Sequence, residues 1–248
     1  MTHPIIPPYQ DSQFLIKLIS TRSEMETALK LYSRIAVKKN PLIISLSIDS
    51  DFYYENYCKF FIDFLLKENI SVGAYELQTK KLVCVALSMD LFSDPPKELN
   101  IHNLHPLMQR EEALCITALE EFMKDGIITE RKNHYFYELM AAAEEGFSQS
   151  GIYYKLSMFR NDMMLKKGFK MYYGELTTPV GIKAWMEKIR PNFFKKINLV
   201  EFEYKAKKVF DGVDWGKLGF KKGDECCYFI LKEFNGKNLN GDEKKPKL

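Results

Sequence analysis

The sequence predicts a mixed α/β protein built as one domain around a single sheet. Three observations support this. Strand-like and helix-like apolar patterns alternate along the chain. No internal repeat and no linker long enough to divide it interrupts them. The 248 residues, 46% apolar and 14% aromatic, supply material for one large core.

The elements follow in order. Residues 1–13, with Pro4, Pro7 and Pro8, read as an irregular arm. FLIKLIS at 14–20 is a short strand. Ser23 with Glu26 three residues later is a capping-box pattern opening a helix over 24–39. Asn40-Pro41-Leu42 ends it, because proline disfavours helical geometry in the residue before it. Phe52, Phe60, Phe61, Phe64 and Leu65 recur mostly three or four apart, so a second helix is expected over about 51–68. SVGAYEL (71–77) and LVCVALS (82–88) are hairpin strands joined by a polar stretch. Residues 104–125 read as helical, from Leu107, Leu114, Leu119, Phe122 and Met123.

HYFYELMAAA (134–143) is an aromatic-rich strand, and a helix bearing Ile152, Leu156, Phe159 and Met163 follows it. KMYYGEL is a strand, VGIKAWMEKI a short helix, NLVEFEY a strand, and CCYFILKEF the last strand. Residues 14–234 thus form the domain, and the polar tail 235–248 lacks apolar periodicity and reads as disordered.

Composition narrows the function classes. Lys plus Arg is 36 against 33 Asp plus Glu, a net charge of +3, which gives no reason to expect nucleic acid or an anionic membrane as partner. The cysteines are five, an odd number, with no CxxC spacing, so free thiols in a reducing compartment are expected. The first residues lack a basic segment followed by an apolar one, and no run approaches the roughly 20 apolar residues of a membrane span. A soluble, cytoplasmic protein is the expectation.

The informative unit is the strand, turn and helix over 135–167. A helix start after a tight turn offers free backbone N–H groups and the positive end of a dipole, which suits a phosphate. Here the turn is Ser148-Gln149-Ser150-Gly151. On local sequence alone, it reads equally as a βα loop with a serine N-cap.

The order of elements adds to this. The chain, from about 14 to 234, resembles the GNAT superfamily of N-acetyltransferases, in particular its insect-type arylalkylamine branch. AAAEEGFSQSGIYYKL matches the family's strand, Arg/Gln-x-x-Gly-x-Gly/Ala loop and helix, with Ser148, Gly151 and Tyr153 at the signature positions. NPLIISL resembles the branch's Glu-Pro-Leu segment, and SVGAYELQTKKLVCVAL the hairpin after it.

The resemblance implies a GNAT-like domain with a central, mostly antiparallel mixed sheet and helices on both faces. It implies acetyl-CoA as cosubstrate, held by Ala141, Ala142, Ala143, Ser148, Gln149, Ser150, Gly151, Ile152 and Tyr153, and a small primary amine as acceptor, an arylalkylamine in the branch it resembles. The amine attacks the thioester directly in that family. No metal is implied. His102 and His105 are three apart but lack a third ligand.

Several positions depart from the family pattern. Ser148 replaces Arg or Gln, Tyr153 replaces Gly or Ala, and Trp185 lies where many members carry a tyrosine acid. Asn40 stands where the branch carries its glutamate base, and an amide can hydrogen-bond an amine but cannot take its proton. Glu138 or Tyr137 is a replacement candidate, of which strand alternation lets only one face the cofactor slot. Glu138 reads first as the partner of a Lys or Arg, ahead of a catalytic role. Thr177 and Thr178 fall near serines the branch uses, and also suit capping of the helix that Pro179 begins. Phe52, Tyr53, Tyr54 and Tyr57 read as core before pocket. The leading function is acetyl transfer to a small amine. The alternative is an inactive GNAT-fold component of a protein assembly, and a Tyr153 ring filling the slot between the two central strands favours it.

Overall fold

Residues 7–147 and 150–234 are described by the computed structural model. Within the stretch read as an irregular arm, β1 (Tyr9–Gln10) pairs antiparallel with β2 (Phe14–Leu18). The first helix, α1 (Arg22–Lys39), starts earlier than the Ser23 and Glu26 pattern indicates. Its capping box is Thr21 with Glu24. Thr21 has the extended backbone of a cap, its Oγ1 accepts from the Glu24 N–H at 3.2 Å, and Glu24 Oε2 accepts from the Thr21 N–H at 3.2 Å. Lys17 on β2 also pairs with Glu24, which ties the helix start to the sheet.

Asn40 ends α1 and begins α2 (Pro41–Ser45), its Oδ1 accepting from the Leu42 N–H at 3.1 Å. The helix expected over 51–68 is broken into α3 (Ser50–Asn56), a 3₁₀ turn (Cys58–Phe61) and α4 (Ile62–Glu68). The break is at Tyr57, at φ −145° and ψ −66°. Its ring stacks on Tyr53 at 5.5 Å and its hydroxyl reaches Glu112, so tertiary contacts override the apolar period.

The next elements lie close to their expected places: β3 (Val72–Glu76), β4 (Leu82–Asp90), α5 (Pro106–Lys124), β5 (Tyr135–Ala143), α6 (Ile152–Lys166) and β6 (Met171–Leu176). Helix α7 (Pro179–Ala184) runs on into a π turn (Trp185–Ile189). The strand expected at 198–204 is displaced. Strand β7 (Phe193–Asn198) stops where it was to start, because Asn198 Oδ1 accepts from the N–H groups of Val200 and Glu201 and turns the chain. Only β8 (Glu203–Tyr204) is extended within that stretch, paired with β9 (Lys207–Lys208), and β10 (Cys226–Glu233) closes the fold.

Eight strands form one sheet in the order β1-β2-β3-β4-β5-β6-β10-β7. Every neighbouring pair is antiparallel except β5 and β6. Alternation along the strands divides the core. Val85, Leu87, Tyr137, Tyr173 and Phe229 pack with α1, α4 and α5 on one face. Phe136, Tyr172, Ala86 and Ile230 pack with α6 on the other. This is the mixed sheet with helices on both faces that the sequence predicts. No helix among the described residues is long and apolar enough to cross a membrane.

The capping box sets the angle at which α1 leaves the sheet. Thr21→Ala is expected to cost about 1 kcal/mol, read as a lowered urea midpoint with an unchanged slope.

Candidate functional site

The site originates in an interrupted pairing. Strands β5 and β6 are joined only from Tyr135 opposite Met171 to Glu138 opposite Gly174. On its other side, β5 carries a bulge: Leu87 faces Met140 and Ser88 faces Glu138, leaving Leu139 unopposed. Beyond this point residues 140–143 stay with β4, while Glu175 and Leu176 stay with β10. The two parallel strands part, and the edge of β5 facing β6 has no strand beside it.

On the α1 and α5 side of this gap is a cavity of about 180 Å³. Asn40, Tyr137, Glu138, Thr177, Thr178 and Ala141, all singled out from sequence, line it. Two of them are engaged as caps, Asn40 on α2 and Thr178 on α7, where Thr178 Oγ1 accepts from the Gly181 N–H at 3.1 Å. Phe52 and Tyr54 are not among the lining residues, but Tyr32, Tyr53 and Tyr57 are, and these three are also buried core.

The cavity also contains residues the sequence reading passed over. Glu111 and Cys115, four apart on α5, share its inner face, and Glu175 enters from β6. Tyr137 and Cys115 both donate to Glu175 Oε1, the thiol at 3.1 Å. Tyr53 Oη lies 3.4 Å from Glu111 Oε2 and Tyr57 Oη donates to Glu112 at 3.0 Å. Beyond Tyr137 and Cys115 is a second cavity of about 160 Å³, lined in part by Glu112 and Tyr173.

No ion pair among the described residues involves Glu111, Glu112 or Glu175. Burial, reinforced by the charges of Glu175 and Glu112, holds the Glu111 carboxyl well above its ordinary range. Burial lifts Glu112 to about 7 against the hydrogen bond from Tyr57, and raises Glu175 against those from Tyr137 and Cys115. A signal for this cluster was present: Glu111 falls on the apolar stripe with Leu114 and Ala118, and Glu175 alternates with Tyr173. A carboxylate at core spacing is a candidate for chemistry.

Glu138 points the other way. On the α6 face it pairs with Arg160, whose side chain is 2% exposed, and Oε1 accepts from Tyr153 at 2.6 Å and Tyr172 at 3.2 Å. Burial brings the Arg160 guanidinium down to about 10. Gly174 opposite is required: a Cβ there would lie 2.3 Å from the Tyr172 hydroxyl, which crosses it toward Glu138. Trp185 stacks on Tyr172 at 4.9 Å. The Tyr153 ring is thus turned in, beneath the last paired residue of β5.

Of the phosphate-loop residues, Ser148 and Gln149 lie outside the described residues. Gly151 is the N-cap of α6 in the left-handed region, φ +73°, with nothing within 4 Å of an added Cβ. Ser150 Oγ accepts from the Ile152 N–H at 3.3 Å. Ile152 is buried under α6, Ala142 is buried on the α1 face, and Ala143 packs against the α6 core.

By sequence, no family model matches this chain and no curated protein matches it. By structure, it is similar to the C-terminal condensation domain of Ebony in complex with β-alanyl-dopamine, at 12% identity over 89% of this chain and 99% of that one, TM-score 0.72. It is also similar to arylalkylamine N-acetyltransferase 2 from Aedes aegypti, at 15% identity over 90% and 99%, TM-score 0.64. A third is polyamine N-acetyltransferase of Drosophila melanogaster, at 8% identity over 89% and 100%, TM-score 0.60. These likenesses establish the fold. The chain is a GNAT-fold protein resembling the insect arylalkylamine type.

Two consequences follow from the carboxylates. Arg160→Met should cost about 3–5 kcal/mol in urea unfolding, because Glu138 is left buried and uncompensated, and adding Glu138→Gln should restore most of it. Glu112, at about 7 when folded against an ordinary 4.5, binds its proton more tightly in the native state. The stability this confers is present below pH 4.5 and lost as pH rises through 7. Glu112→Gln should therefore flatten that fall and raise the melting midpoint near pH 8 by roughly 2–4 °C, equivalent to about 1 kcal/mol in a chain of this size.

Proposed function

We propose that the protein transfers an acetyl group from acetyl-CoA to the primary amine of a small cationic acceptor. The observation that carries this is the cavity at the strand gap: three carboxylates, Glu111, Glu112 and Glu175, lie on and just beyond its wall, and among the described residues none of them forms an ion pair, not even with Lys39 on the same wall. An ammonium group supplies the missing charge, and its desolvation is offset by carboxylates already out of water. Tyr32, Tyr53 and Tyr57 give the acceptor's body an aromatic wall.

Acetyl-CoA fits the other side of the gap. The free edge of β5 offers backbone groups to a pantetheine arm, Ala141 and Ala143 leave it room, and Gly151 opens the start of α6 to a pyrophosphate. Ser148, Gln149, Ser150, Ile152 and Tyr153 complete this proposed cradle. Its thioester is what the amine attacks. The chain's own residues hold the ammonium, exclude water from it and receive its proton. A cytoplasmic location belongs to the same reading and suits the free cysteines.

One observation favours the second reading, an inactive GNAT-fold component of a protein assembly. Tyr153 reaches Glu138 and Trp185 covers Tyr172, so aromatic rings stand on the α6 side of the gap. Thermal unfolding with acetyl-CoA separates the two. At about 100 times its dissociation constant it should stabilise the fold by about 2.7 kcal/mol, a shift of roughly 5–10 °C. Phenylethylamine or 1,4-diaminobutane, an arylalkylamine and an aliphatic diamine, should then release free CoA thiol. No shift at millimolar acetyl-CoA and no thiol with either amine would establish the second reading instead.

A further inference from the structure

Resting on acetyl transfer as the reaction, we infer that Glu175 is the general base that takes the proton from the acceptor amine. It is the first residue of β6 beyond the last pairing with β5, so its carboxylate stands where the gap and the acidic cavity meet. Tyr137 and Cys115 both donate to Oε1, and no hydrogen bond to Oε2 forms among the described residues. One oxygen is fixed in place and the other is left to a ligand. A base needs that combination of a held orientation and a free lone pair.

The other cavity residues fail for stated reasons. Glu138 is neutralised by Arg160 on the opposite face. Tyr137 donates its proton to Glu175, and burial raises its phenol further out of range. The side chains of Asn40 and Thr178 are caps. Glu112 belongs to the second cavity and is held by Tyr57. Glu111 shares the cavity with Glu175 but lies on α5 away from the strand gap, and burial together with the charge of Glu175 holds its carboxyl well above its ordinary range. Burial raises Glu175 itself above the ordinary carboxylate range, the direction a base working near neutral pH requires.

The step balances. The ammonium gives one proton to Glu175 Oε2 and recovers its lone pair. That pair forms the bond to the thioester carbonyl carbon, and the carbon–sulfur bond breaks with its electrons going to sulfur. A second nitrogen proton ends on the sulfur as the thiol, and Glu175 returns its proton to solvent. The sum is ammonium plus acetyl-CoA giving amide, free CoA thiol and one proton.

The test compares wild type with Glu175→Gln on the better of phenylethylamine and 1,4-diaminobutane, and on its analogue fluorinated beside the aminomethyl carbon. The fluorinated amine is less basic and sheds its proton without help. With the first amine kcat should fall about 10²–10³-fold, and with the analogue by no more than about tenfold, the acetyl-CoA melting shift being retained. Equal losses on both amines, or a loss under about threefold, would overturn the assignment while leaving acetyl transfer standing. Wild type that transfers to neither amine overturns the reading beneath it, and the assignment with it. Should Glu175→Gln not fold, Glu175→Asp keeps a carboxylate set back by one methylene. It should lose kcat on the basic amine more than on the analogue, and equal losses would again overturn the assignment.

Discussion

The molecule depends on one interrupted ladder. Parallel pairing of β5 with β6 stops at Glu138 and Gly174, and the unopposed Leu139 bends β5 away at the same place. Side chains alternate along a strand, so one extra residue puts Leu139 and Met140 on the same face and resets every position after them. The free β5 edge, the cavity behind it and the entry of Glu175 all follow. Were the ladder to run on, residues 139–143 would have a strand beside them and the gap would not exist. The cost of parting is spread over residues still paired on their outer sides, to β4 and β10.

That point separates two kinds of buried carboxylate. Glu138, on the α6 side, has a full set of partners: a guanidinium and two phenols. Glu111 and Glu175, on the other side, have a thiol and phenols as their partners among the described residues, and they repel each other. Phenols and thiols stabilise a carboxylate without neutralising it, and burial raises the proton affinity of Glu111, Glu112 and Glu175. The first arrangement stiffens the junction of strands and helix. The second leaves buried carboxylates without an ion pair among the described residues, which is why the acidic side and not the paired side reads as a place for chemistry.

The fold was legible because its main elements carry clean periods. Leu82 through Ser88, the Leu107 to Phe122 stripe and the aromatic run from Tyr135 each gave type and place within a few residues. What failed was decided by contacts made at a distance. Tyr57 breaks a helix to reach Tyr53 and Glu112, Asn198 turns a strand into a loop, and Lys17 draws the α1 capping box to Glu24. Likewise, the sequence indicated the cavity's rim, with Asn40, Tyr137 and Thr178, but passed over its charge. Glu111 and Glu175 lie 64 positions apart and become one cluster only when α5 is laid across β6. The parallel alternatives for Glu138, base or ion-pair partner, were separable only once Arg160 was placed beside it.

The same electrostatics account for the amide at the end of α1. Asn40 lines the cavity alongside Glu111 and Glu175. A glutamate there would add another carboxylate to a cavity where Lys39 is the one cationic residue on the wall among the described residues, and with dielectric lower than water each added like charge raises the proton affinity of all of them. It would also forfeit the short side chain that accepts from the Leu42 N–H and starts α2. An asparagine keeps the cap and a polar contact for an amine while leaving the negative charge to residues deeper in the cavity. The amide at position 40 thus fits the charge balance of the cavity and is not by itself a mark of lost chemistry.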